Sequence, residues 1–137
     1  MLKELLFGRT QIPLLTRGLD ALHLRQKAIA KNIANAQSSG YKRSLVEFEG
    51  TLQKVIKQDR RDVRRTHRNH ILPNRKAANV RPFMRQANNR IDGSGSETVV
   101  AEREMADLAQ TQIKYEAEVK LTRHHFELIK MAIRGMG

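Results

Sequence analysis

His67 and His70, in the run His67-Arg68-Asn69-His70, are three residues apart, a spacing that lets one helix face offer two imidazoles to a metal ion. No carboxylate or cysteine adjoins them to complete a ligand set. A second pair, His124-His125, falls between Thr122 and Phe126 of an apolar stripe and is expected on a solvent-facing or neighbour-facing side. Asp92-Gly93-Ser94-Gly95-Ser96 has small residues but neither the spacing nor the closing lysine of a phosphate loop, so it reads as a cap and turn. The run Arg60, Arg61, Arg64, Arg65 and Arg68 would be drawn to an acidic surface, a phosphate backbone or anionic lipid. It lacks the interleaved aromatics that stack on bases, and helical spacing would scatter its charges around a cylinder. With no cysteine, thiolate and disulfide chemistry are excluded. These residues define no catalytic, cofactor-binding or metal site, and the chain is not expected to be an enzyme.

The stronger signal is periodic. Ile12, Leu15, Leu19, Leu22, Gln26, Ile29 and Ile33 recur at steps of three and four, as do Met105, Leu108, Gln112, Tyr115, Val119, Phe126, Ile129 and Ile133, with Ala101 and Thr122 completing the second series. Such spacing keeps a narrow stripe facing a partner helix, the seam of a coiled coil. Met105, Tyr115 and Phe126 therefore read as seam rather than as a cofactor box. The first helix is expected from Thr10 or Gln11, with Thr10 as N-cap and Pro13 in the first turn, to about Asn35. The second is expected from about Thr98 to Arg134, started by a Ser94–Glu97 capping box, with acids early and Lys130 and Arg134 late.

Between them, residues 41–93 read as extended and irregular. A short helix is expected within 45–56, short strands around Ile71, Val80 and Phe83, and breaks at Pro73 and Pro82. The expected fold is mainly α: two long terminal helices pairing as an antiparallel coiled-coil hairpin, with a small irregular or short-β middle. Its segments are an N-terminal axial helix (1–40), a basic middle (41–93) and a C-terminal axial helix (94–137). Placing Gln26 opposite Gln112 brings Ile33 to Met105, Ile29 to Leu108, Leu22 to Tyr115, Leu19 to Val119 and Ile12 to Phe126, around one polar layer that fixes register.

Composition agrees with association. Among 137 residues, aromatics are only 4%, too few for a thick globular interior, so narrow seams completed by neighbours are expected to carry much of the stability. The net charge of +12 is concentrated in residues 51–92, which hold twelve Lys/Arg against three Asp/Glu. No uninterrupted apolar run approaches the roughly 20 residues of a membrane span, and Met1-Leu2-Lys3-Glu4-Leu5-Leu6-Phe7 is too short and interrupted for a secretory leader.

Asn32-Ile33-Ala34-Asn35, a short turn, and Gly40-Tyr41-Lys42 close the first helix. This strongly resembles the N-terminal signature of the flagellar rod and hook axial protein family. Gln37-Ser38-Ser39 stands where that family often has Thr and Pro. The length, Arg90-Ile91-Asp92-Gly93 and the C-terminal run from Ile129 to Gly135 are most similar to the proximal-rod branch. The resemblance implies a structural subunit with no catalysis and no cofactor. It would be exported by the flagellar type III apparatus without a cleavable signal and polymerise through its terminal helices into the periplasmic rod near the inner membrane. Implied partners are other copies of itself, FlgC-type rod proteins, a FliE-type adaptor, the membrane-embedded ring and the export apparatus, with no nucleic acid. The Arg60–Arg68 run would then face acidic neighbours. The alternative is a basic helical nucleic-acid-binding protein, marked by steeply salt-dependent DNA binding. A third reading is a membrane-surface protein using Met1 to Phe7 and the basic run.

Overall fold

The computed structural model describes residues 11–59, 77–87 and 99–135. In chain order the elements are α1 (Ile12–Ala34), β1 (Ser44–Glu47), α2 (Glu49–Asp59), a 3-10 turn (Ala77–Asn79), β2 (Phe83–Gln86) and α3 (Ala101–Arg134). Two long helices and a small sheet between them make a mainly helical fold.

Pro13 sits in the first turn of α1, where its missing N–H leaves no helical bond unmade. Gln11 occupies the cap position without a side-chain cap bond, and the first helical bond runs from the Leu15 N–H to its carbonyl at 3.0 Å. The expected cap, Thr10, lies outside the described residues. Asn35 closes the helix: its N–H returns to Lys31 O and Asn32 O at 3.2 Å, and its Nδ2 donates to Lys31 O at 2.8 Å. Gly40, at φ +72°, takes the left-handed conformation that reverses the chain toward β1, where a side chain would be strained. Helix closure and chain reversal thus fall to different residues, five positions apart.

The segment expected to be one short helix divides. Ser44–Glu47 pairs antiparallel with Phe83–Gln86, in the register Ser44↔Gln86, Leu45↔Arg85, Val46↔Met84 and Glu47↔Phe83. The helix begins only at Glu49. Phe48 marks the break: it is buried with Ala21 of α1 and Val80, and Leu52 and Val55 of α2 pack on this cluster. The strand expected near Phe83 is β2. No strand forms at Val80, which directly follows the 3-10 turn. Ile71 and Pro73 lie outside the described residues.

The start of α3 differs from expectation. It begins at Ala101, capped by extended Val100 with no side-chain cap bond, so the Ser94–Glu97 spacing does not mark its first turn. Those two residues are themselves outside the described set. Glu102 and Glu104 in the first turn and Arg134 in the last complement the helix dipole. Its 34 residues extend about 50 Å at 1.5 Å per residue.

The two long helices pack on one another. Asn32 meets Glu104, Gln26 donates to Gln112 at 2.9 Å, and Gly18 lies against Glu118. At the end of this interface the buried residue of α3 is Glu104, whereas Met105, fitted against Ile33, is 56% exposed. The reason is electrostatic: Glu104 has hydrogen-bonding partners inside, and Met105 one residue on is turned about 100° away. Phe126 and Ile133 are also exposed, and Ile129 is half-buried; by the same contact order Phe126 falls level with the start of α1 at Ile12, and Ile129 and Ile133 lie beyond it.

Candidate assembly interface

Asn32 and Glu104 are both 1% exposed and form the centre of a polar junction joining α1, β1 and α3. Asn32 Nδ2 donates to Ser44 O at 3.0 Å, and its Oδ1 accepts from Ser44 N–H at 2.8 Å. The side-chain amide thereby pairs with Ser44 as a neighbouring strand's peptide would. Nδ2 also donates to Glu104 Oε2 at 2.9 Å, while Tyr41 Oη donates to Asn32 Oδ1 at 3.0 Å. Tyr41 Oη and Ser44 Oγ lie 3.4 Å apart. Arg43 completes the site, with Nε donating to Glu104 Oε1 at 2.5 Å and Nη2 to Asp107 Oδ2 at 2.9 Å. The Arg43 guanidinium and the Asn32 amide between them hold both oxygens of the buried Glu104 side chain.

The family motif acquires a physical reading here. Asn32 is the buried pin, Asn35 the helix closure, Gly40 the reversal and Tyr41 a brace on the pin. Ile33 is half-buried, while Ala34 and Lys42 are exposed. Four participants escaped the sequence reading: Arg43, Ser44, Glu104 and Asp107. Their signal was faint, a carboxylate on the inner side of α3 and an asparagine within the apolar face of α1.

A cavity of about 490 Å³ adjoins the junction between α1, β1 and α3, with Arg25, Arg43, Lys114, Glu49, Glu104 and Asp107 among its lining residues. Arg25 Nη2 donates to both Glu49 oxygens at 2.7 Å. Partial burial works to raise the Glu49 carboxyl, but the Arg25 hydrogen bonds, a backbone N–H and the charges of Arg25 and Lys114 hold it below the ordinary value. The Glu118 carboxyl is raised, by burial first and then by the negative charge of Glu49.

The two groups act on stability with opposite sign. Glu49 contributes stability at pH above 4.5 that is lost as pH falls through its lower folded value. Glu118, favouring its proton when folded, costs nothing below 4.5 and its full penalty above its folded value. Glu118→Gln should therefore raise the thermal midpoint at pH 7 and leave it unchanged below pH 4. An equal gain at both pH values would contradict this.

Of the predicted seam, Ile12, Leu15, Leu22 and Ile29 are buried, while Leu19, Gln26, Ile33, Leu108, Tyr115, Val119 and Ile129 are half-buried. Gln112 is exposed despite its bond to Gln26. Arg60, Arg61, Arg64, Arg65, Arg68, His67 and His70 lie outside the described residues. His124 is exposed and His125 half-buried. Among the described residues no group of three His, Asp or Glu could hold a metal, and no helix is long and apolar enough to cross a membrane.

The polar residues of the junction are bound to one another across α1, β1 and α3, which fixes how two long helices and a strand sit together. That is the work of a structural subunit. No family model matches the chain. It is, however, 30% identical to the flagellar basal body rod protein FlgB of Borrelia hermsii, over 90% of this chain and 95% of that protein. The Bacillus subtilis (strain 168) FlgB is also 30% identical, over 88% and 91%, and that of Borreliella burgdorferi is 28% identical over 86% and 91%. The chain belongs to the FlgB family of flagellar basal body rod proteins, and is a structural component of the flagellar basal body.

Proposed function

We propose that the chain is a subunit of the proximal rod that polymerises through its terminal helices, forming part of the torque-transmitting axle and of the wall of the secretion channel. The observation that carries this reading is the apolar surface left open on α3: Ile113 is 69% exposed, Met131 59% and Ile133 58%. One helix with this much open apolar surface is completed by neighbours rather than by water. The opposed order of the α1–α3 contacts supports an antiparallel coiled-coil hairpin as the polymerising unit, with Ile12, Leu15, Leu19, Leu22, Gln26, Ile29 and Ile33 on one strand of the seam and residues from Met105 to Ile133 on the other. Phe126, Ile129 and Ile133 then form the part of the seam closest to a subunit boundary.

In this reading the partners are further copies, FlgC-type rod proteins, a FliE-type adaptor and the membrane-embedded ring. The subunit reaches the periplasm through the flagellar export apparatus, and Arg60 to Arg68 face acidic neighbours. The test is a strain lacking this chain. Basal bodies should contain no rod and the cells should not swim, with both restored by the intact gene; rods that form without the chain would overturn the reading. Reversing the charges of Arg61, Arg64 and Arg65 should impair rod assembly, and normal rods in that variant would remove the acidic-neighbour role.

A further inference from the structure

We propose that the outward face of α3 is a second seam, which docks along the same face of a neighbouring copy in parallel orientation, shifted by about half the helix. The inference rests on the rod reading above and names the surface and register of one contact within it. Ala106, Ile113, Ala117, Leu121, Leu128 and Met131 are all exposed and recur at steps of three, four and seven. At 100° per residue they form one stripe, roughly 150° round the helix from Glu104, Leu108, Thr111 and Tyr115, which turn toward α1. Contact with α1 therefore leaves this stripe free.

Charge decides what covers it. Residues 101–118 carry five acids and two bases, a net −3, and residues 119–134 carry four bases and one acid, a net +3. The helix dipole accounts only for charges in the end turns, and Glu116, Glu118, Lys120 and Arg123 lie in mid-helix. Among the described residues Lys120, Arg123, Lys130 and Arg134 make no ion pair. Two such helices aligned in register would set like halves together. A shift of about 18 residues, five turns or about 27 Å, sets acidic half beside basic half and keeps the same stripe facing inward. Ile113 then lies level with Met131 of the neighbour, and Gln110 with Leu128. Each copy keeps its other half for the next, so the contact propagates instead of closing. Antiparallel pairing would also match the charges, but it closes into a dimer around Ala117.

The chain has no cysteine, so introduced ones report cleanly. Oxidation of rods built from the Ile113→Cys/Met131→Cys double variant should give a ladder of dimers and larger species, and neither single variant should. Self-crosslinking of Ala117→Cys in its place would overturn the parallel shift. No crosslink in rods shown by immunoblot to contain the chain would overturn the contact itself. Absence of even the unsubstituted chain from rods is a separate result, one that removes the rod reading and this contact with it.

Discussion

Asn32→Asp should destabilise the chain by about 3–5 kcal/mol, since unpaired buried polar groups cost about 1–3 kcal/mol each and a second carboxylate adds repulsion. The replacement has the same size and keeps an acceptor for the Ser44 N–H and the Tyr41 hydroxyl. It loses the Nδ2 donor to Ser44 O and Glu104 Oε2, and puts a like charge where that donor stood. The bonded groups are shielded from bulk water, because Asn32, Ser44 and Glu104 are buried. Denaturant unfolding followed by circular dichroism measures the loss. A change under 1 kcal/mol would mean that the junction does not hold the helices. Glu104→Gln in the same chain should recover part of the loss by removing the repulsion, while Glu104→Gln alone should weaken the hold on Arg43. Recovery of the double variant beyond the sum of the singles is the signature of direct contact.

The same junction explains what the sequence could and could not reveal. Period alone identified α1 and α3, because stripes such as Leu15, Leu22 and Ile29 exclude a strand reading over so many turns. Pro13 in the first turn was legible for a local reason: proline has no N–H to lose there. The start of α3 was misread because Ser94 and Glu97 have capping-box spacing, yet the helix begins beyond them at Ala101, with an extended valine in front. A capping box is a local preference worth about 1 kcal/mol, and tertiary packing readily overrides it. Glu104 was hidden for another reason. Its burial depends on Arg43 and Asn32, 61 and 72 residues away in sequence, and no local pattern reports a partner at that distance. The neighbouring Met105 satisfied the apolar template better than the residue that is buried.

Two leucines, one on the packed face of α1 and one on the outward face of α3, should separate folding from assembly. Leu22, buried on α1, is part of the packing that holds the chain together; Leu22→Asp should unfold it, costing on the order of 4 kcal/mol or more from the lost packing and the buried charge. Leu121 lies on the outward stripe and is 47% exposed. Leu121→Asp should cost the monomer no more than about 0.5–1 kcal/mol of helix propensity and leave its circular dichroism unchanged. In a polymer the same substitution places a carboxylate in every repeat of the contact, so a modest loss per interface multiplies along the array. Swimming should fall to the level of cells lacking the chain, and no rod should be seen in purified basal bodies. A motile Leu121→Asp strain would mean that the outward stripe faces solvent, and the open apolar surface of α3 would then need an explanation other than assembly.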